Sequence, residues 1–294
     1  RKKSMKNKNI VLLASSLLAL STITGCSDAT ASLKDKSTVV MKVGKTAITK
    51  GEVYSTLFAS YGYTQAVTDA KHIIANNEIE ITDEMKEQAD SIVEMYKNYY
   101  GDQFTSMLES NNMTEDDYKD TYITSLQTAE LTNKYIDEEY DALVLEYTPV
   151  KATILSFSEE DKADSALSAL KDGSLSAAEA AKNYDSNKSG DSEIVTINST
   201  SYDAEALAVI RSNKPDDGWA KVNSSSSGTT YLIHVDETDA NNFKDEFKSS
   251  ISSTDAVKKD AITYFFKKYN FTVYDINLYN ALEENNPEAL VQSK

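Results

Sequence analysis

The chain has 294 residues, with 30 Lys+Arg against 47 Asp+Glu, a formal net charge of −17, and 40% apolar residues. That acidic balance opposes binding to nucleic acid or to anionic lipid headgroups, and the apolar share suffices for globular cores. One cysteine excludes an intramolecular disulfide and a His/Cys metal cluster, while three Pro and nine Gly favour long helices over a turn-rich β architecture.

The first residues are basic (Arg1, Lys2, Lys3, Lys6, Lys8) and lead into an apolar segment, Ile10 to Ile23. A charged start, a short apolar core and small residues at the end define a secretory signal peptide, here residues 1–25. Met5 is the expected initiator. The apolar run is too short, and too broken by Ser and Thr, for a transmembrane helix of about 20 residues. Ile23-Thr24-Gly25-Cys26 resembles the bacterial lipobox, whose cysteine becomes a lipidated N-terminus after cleavage. The expectation is a protein held by lipid at Cys26 on the extracytoplasmic face of a bacterial cell membrane. An ordinary secretory signal with a chance cysteine is the alternative.

Residues 26–37 are small and polar and read as a flexible tether. Val39, Val40, Met41 and Val43 form a short strand ending at Gly44. Thr49 and Glu52 fit a capping box at a helix start. Val53, Leu57 and Tyr61 then recur at four-residue spacing beside Tyr54 and Phe58, giving one apolar face, and Gly62 stops the helix. A further helix begins after Thr82, carries Met85, Ala89, Ile92, Val93 and Tyr96 inward, and stops near Gly101. Phe104, Met107 and Leu108 mark a short helix that breaks at Asn111-Asn112. Thr114 caps a long helix through Tyr118, Tyr122, Leu126, Leu131 and Tyr135 to Tyr140.

Pro149 changes the style. Lys151–Phe157 is strand-like, Glu160–Lys171 and Ser176–Tyr184 are helical, and Glu193–Ile197 is a strand. A helix over Tyr202–Arg211 and strands near Trp219–Val222 and Thr230–Val235 complete a β-α-α-β-α-β-β order. From Asn241 the chain is helical through Phe247, Ile251, Val257, Ile262, Phe265 and Phe266. A strand-like Phe271–Tyr274 and an amphipathic turn around Leu278 and Leu282 follow. The expected fold is α+β: a mostly helical lobe, 38–148, covered by the returning segment 241–294, with a small domain, 149–240, between them.

VVMKVGKTAITKGEVYSTLFASYG, then YYGDQFTSMLESNNMTEDDYKDTYITSLQTAELTNKY, then YNFTVYDINLYNAL are together similar to the PrsA-type extracytoplasmic foldase lipoproteins and related SurA-like chaperones. The resemblance implies a helical chaperone lobe and a parvulin-type peptidyl-prolyl isomerase domain in the middle. In that family the first strand of the domain reads like S-H-I-L and a late strand like Y-H-I-I. Here Thr153 stands at the first histidine position and Tyr231 at the second. His234 falls three places later, an odd offset expected to turn it to the opposite face. The family's Asp or Cys maps near Ser186 or Asn187. Its Met and Phe, which line the proline socket, map to Tyr202–Glu205, where neither occurs. Proline isomerisation faces a barrier of about 18–20 kcal/mol, and a domain without that socket is expected to lower it little. No catalytic residue is therefore expected.

Other chemistry finds little footing. His72 has no partner identifiable from spacing, and no Gly-x-Ser-x-Gly elbow, phosphate loop or EF-hand occurs. No cofactor and no metal is expected. The acidic runs 114–117 and 137–139 read as helix starts and solvated faces. Of 18 Tyr, 15 lie in the helical lobe and tail, where a flat apolar ring with a polar tip suits contact with varied partners. The candidate client-binding residues are Tyr54, Phe58, Tyr61, Tyr99, Tyr100, Tyr118 and Tyr122, with simple core filling as the alternative. The functional expectation is a foldase or holdase for unfolded or nascent secreted proteins. An active isomerase with a rearranged pocket, or a scaffold or ligand-binding lipoprotein, are its rivals. Mass spectrometry of the native N-terminus should find lipid-modified Cys26, and a Cys26→Ala variant should leave the membrane fraction.

Overall fold

The computed structural model describes residues 33–58 and 62–292; the leader, Cys26 and Tyr61 lie outside them. The chain forms two compact units, one from residues up to Thr68 with Phe266–Lys294, the other from Asp69–Phe265. In the first unit β1 (Val39–Val43) pairs antiparallel with β2 (Thr46–Thr49). Strand β2 is absent from the sequence reading. Gly44 sits first in the two-residue loop at φ +61°, the backbone that a hairpin turn of this hand demands there.

Thr49 then opens α1 (Lys50–Leu57): its Oγ1 accepts from the Glu52 amide at 3.2 Å, and Glu52 Oε2 accepts from the Thr49 amide at 2.7 Å. The capping box is as expected, but the apolar face is not covered. No residue of α1 is buried, and Leu57 is 60% exposed. A second helix, α2 (Tyr63–Glu78), follows and carries His72, as read for the residues around it; its bounds were not read from the sequence.

In the second unit Thr82 caps α3 (Asp83–Tyr100) by accepting from Met85 N, and Met85, Ala89 and Val93 are buried. Gly101, at φ +54°, reverses the chain into α4 (Asp102–Ser110), which buries Phe104 and Leu108. Thr114 and Asp117 form the box that starts α5 (Glu115–Glu138). The expected single helix to Tyr140 is two, because α5 closes at Glu139 and α6 (Tyr140–Tyr147) begins anew. Gln127 is buried on α5 and its amide donates to the Ile79 carbonyl.

The small domain follows the expected order. It comprises β3 (Val150–Phe157), α7 (Glu160–Lys171), α8 (Ala177–Asn183), β4 (Ser192–Val195), α9 (Ala204–Ser212), β5 (Ala220–Asn223) and β6 (Thr230–Glu237). The strands lie in the order β4-β3-β6-β5, each pair antiparallel. Strand β3 is apolar on both faces because both are covered. Ala152 and Ile154, with Ile233 and Val235, pack against Ala206 and Ile210 of α9. Leu155 and Phe157, with Leu232, pack against Ala163 and Ala166 of α7 and Ala180 of α8. Alanine at these positions lets the helices approach the sheet closely.

Helices α10 (Lys244–Ser252) and α11 (Asp255–Lys268) return the chain. Phe247 of α10 is fully buried, its ring edge-on to Tyr140 at 6.1 Å and Tyr147 at 6.3 Å. Tyr140 Oη donates to the Ala240 carbonyl at 2.8 Å, Lys248 pairs with Asp137 at 2.6 Å, and Tyr264 Oη donates to Glu138 at 2.7 Å. Through these contacts the sheet region shares one compact unit with α3–α6.

In the first unit the chain ends with α12 (Ile276–Asn285), capped by Asp275, which accepts from the Asn277 and Leu278 amides. The strand expected over Phe271–Tyr274 is irregular chain. The side-chain amide of Gln292 takes both backbone groups of Val273, standing in for a neighbouring strand. No helix of the described residues is long and apolar enough to cross a membrane. Truncating Phe247 to Ala should cost about 3–5 kcal/mol, measured as a lowered midpoint of chemical unfolding, with α6 and the sheet losing protection together in hydrogen exchange.

Candidate functional site

Tyr96 and Tyr100 stand one turn apart on α3, so their rings share a face. The reversal at Gly101 folds α4 back beneath them. Phe104, almost wholly buried, forms the floor, stacked on Tyr96 at 5.7 Å, and Tyr118 of α5 meets both rings edge-on at 6.1 and 5.5 Å. Tyr96, Tyr100, Gln103, Phe104, Met107 and Tyr118 line a cleft of about 320 Å³. Met107 and Tyr100 are exposed at its mouth, and Tyr99, 80% exposed, lies edge-on to Tyr100 at 4.7 Å. Burial, and then the neighbouring phenols of Tyr96 and Tyr122, push the Tyr118 hydroxyl up from its ordinary value. Lys97 is paired to Glu115 at 2.9 Å and Lys119 to Asp90 at 2.5 Å, so the nearby cations are neutralised. The cleft is apolar and aromatic, with hydrogen-bonding tips on its phenols and on Gln103.

The candidate residues divide accordingly. Tyr100 and Tyr118 line the cleft, Tyr99 forms its rim, and Tyr122 lies one turn further along α5, half-buried. Tyr54 and Phe58 belong to the other unit, where they stack on each other at 5.8 Å and Tyr54 Oη donates to Asp275. Tyr61 is outside the described residues. Tyr96, Phe104 and Met107 were read as core or as helix markers and not as cleft. The four-residue step from Tyr96 to Tyr100, followed at once by Gly101, was the available signal.

The sheet fixes where the two residues mapped onto histidine positions lie. Thr153 lies opposite His234, and Tyr231 lies opposite Ser156. Tyr231 packs with Ile154, Ile233 and α9, whereas Thr153 points to the other face, that of Leu155 and Phe157. Thr153 and Tyr231, the two residues mapped onto histidine positions, thus lie on opposite faces, and His234, three places after Tyr231, is turned away from Tyr231's face as its odd offset implied. That His234 shares its face with Thr153 depends on register across the sheet, which an offset counted along one strand does not reveal.

On Thr153's face, Asp236 gathers three donors. Thr153 Oγ1 and Ser192 Oγ donate to Oδ2 at 2.8 and 2.5 Å, and His234 Nδ1 bonds Oδ1 at 2.8 Å. Trp219 leans on the imidazole at 5.4 Å. Ser192 and Thr153 bond the carboxylate and not the imidazole, so no hydroxyl is activated as a nucleophile. On the other face, Tyr202 and Tyr231 meet edge-on at 6.1 Å, both buried. Tyr202 Oη donates to Glu193 and is met by Lys188, and Tyr231 Oη donates to Asp203 Oδ2 at 3.1 Å. Tyr202, which the resemblance maps to the proline socket, is thus buried against Tyr231, which it maps to a histidine position. Ser186, the other mapped position, is held by the backbone: its Oγ accepts from the Ser156 and Lys188 amides.

No family model matches the chain. A foldase protein PrsA from Streptococcus mutans is 27% identical, over 77% of this chain and 68% of that protein. The chain is PrsA-like. A peptidylprolyl isomerase (PrsA) structure from Bacillus cereus aligns with 85% of the PrsA-like chain and 98% of its own, at 16% identity and a TM-score of 0.43. The foldase PrsA structure from Streptococcus pneumoniae aligns over 83% and 98%, at 18% identity and a TM-score of 0.37.

Burial, then Glu193, pushes the Tyr202 hydroxyl up, burial and Asp203 do the same for Tyr231, and burial carries Tyr135 to about 12. Phenols of the unfolded chain ionise near 10, so the unfolded state sheds protons first. The stability these groups contribute is complete below about pH 10 and is lost as pH rises through their higher folded values. Alkaline titration should show phenolate absorbance for Tyr135, Tyr202 and Tyr231 appearing together with loss of the circular-dichroism signal, not before it.

Proposed function

We propose that the PrsA-like chain is an extracytoplasmic foldase of the chaperone kind, holding unfolded segments of secreted proteins in the α3–α4–α5 cleft. The observation that carries this reading is a contrast between two aromatic groups. The Tyr96–Tyr118 group surrounds open volume, while the Tyr202–Tyr231 group has closed on itself with every hydroxyl engaged. A rigid aromatic wall with polar tips accepts varied side chains at small entropic cost. The sheet domain then serves as a scaffold with little or no isomerase activity, since no proline ring can enter where Tyr202 and Tyr231 pack. The domain organisation in this reading is a helical lobe, 38–148, completed by 241–294 and carrying 149–240 as an insert. The packing of α10 and α11 beside α5 supports it. Attachment to the membrane is through lipid on Cys26, inferred from the lipobox-like sequence.

The test pairs two assays on the purified protein. It should suppress light scattering by a denatured client without ATP or metal, and a Tyr100→Ser/Met107→Ser variant should lose most of that effect while keeping its fold, because both side chains are already exposed. Proline-peptide isomerisation should stay at the uncatalysed rate. Isomerase activity abolished by substitution of Thr153, Tyr231 or His234 would favour an active isomerase, and failure to suppress aggregation at several-fold molar excess would leave a scaffold lipoprotein.

A further inference from the structure

We propose that the β1–β2 hairpin is a docking surface for an anionic lipid bilayer. The stretch 34–50 holds Lys34, Lys36, Lys42, Lys45 and Lys50 against Asp35 alone, in a chain whose total charge is −17. All five lysines are exposed, and none makes a side-chain ion pair among the described residues. Elsewhere, lysines such as Lys97, Lys119, Lys221 and Lys248 are tied to carboxylates. Between the free lysines stand four bare apolar side chains: Val39, Val40, Met41 and Val43 are 45–69% exposed. Strand β1 buries nothing.

Apolar side chains set among lysines on one hairpin match a bilayer surface, where acyl chains take the former and phosphates the latter. The acidic body does not cancel this attraction, because at physiological salt charges further away than about 8 Å are largely screened. Glu52, the next acid after Asp35 along the chain, is turned onto Thr49 as a helix cap. Position favours the same partner. Lys34 follows Cys26 by eight residues, so on the anchoring reading the hairpin begins within about 30 Å of the lipid even with the tether fully extended. The docking itself needs no lipid on Cys26.

The experiment uses the unlipidated chain from residue 27 onward, which keeps every residue the structure describes. Flotation with phosphatidylcholine vesicles, with and without 30% phosphatidylglycerol, should show binding that requires the anionic lipid and falls with added salt. Lys42→Ser/Lys45→Ser/Lys50→Ser should weaken it about 100-fold, at about fivefold for each lysine, while the corresponding Lys→Arg protein binds as the parent does. Val40→Ser/Val43→Ser should weaken binding with all charges kept, and circular dichroism verifies that each variant is folded; Lys45→Ser alone, at the loop tip, serves if the triple variant is not. All variants should retain suppression of client aggregation, which separates this surface from the cleft. Absence of binding to anionic vesicles, equal binding to neutral ones, or no effect of the lysine substitutions overturns the proposal. So does a result in which the lysines govern self-association or retention on a soluble polyanion, with vesicles left unbound.

Discussion

The burial of Phe247 between Tyr140 and Tyr147 is the contact on which the second unit turns. One ring from the returning helix closes on two rings separated by the two turns of α6, and Tyr140 reaches on to the Ala240 carbonyl. Sheet and helices thereby share a core across the sequence positions where composition changes. The chain leaves α6 through Thr148, a non-glycine residue at φ +41°, and enters β3 directly after Pro149. A left-handed residue followed by proline gives the connection little freedom. The orientation of β3, and with it the whole sheet, is thus set by one buried seam and one stiff joint.

The same residue type serves opposite ends in the two aromatic groups. What separates them is the partner of the hydroxyl. Tyr202 and Tyr231 have carboxylates within reach, Glu193 and Asp203, and bond them while their rings are buried. Once satisfied in this way, a buried phenol has little reason to open. Around the cleft the rings pack chiefly on one another, and the carboxylates nearby are bound instead to Lys97 and Lys119. Acid–lysine pairing there leaves the aromatic surface without charged partners to draw it shut.

Local signals were legible in the sequence, and distant ones were not. Thr49, Thr82, Thr114 and Ser176 each cap the helix that follows, because capping is settled within three residues. The strand order of the small domain was readable for a similar reason, since each strand carries its own apolar run. The pairing of Thr153 with His234 was hidden, because it depends on where β6 slides against β3. The clasp of Gln292 on Val273 was equally hidden: a side-chain amide replacing a strand leaves no periodicity. The extent of α2 was not legible, although a helix around His72 was, because polar residues blur the repeat in Tyr63–Glu78, and β2 was missed because the strand is only four residues long. The cleft was half visible, for its tyrosines could be counted but the fold-back at Gly101 that encloses them could not.

On the proposed function, the outer strands of the four-stranded sheet have a consequence for work among unfolded chains. A free strand edge is a template, and an extended neighbour can add to it hydrogen bond by hydrogen bond until carrier and cargo become one cross-β aggregate. Both edges here, β4 and β5, are four residues long. Lys221 ties β5 to Glu160 and Asp164, and Glu193 on β4 is held by Lys188, so each edge presents a locked ion pair instead of a bare ladder. Short edges carrying fixed charges are poor templates for a misfolding neighbour to extend.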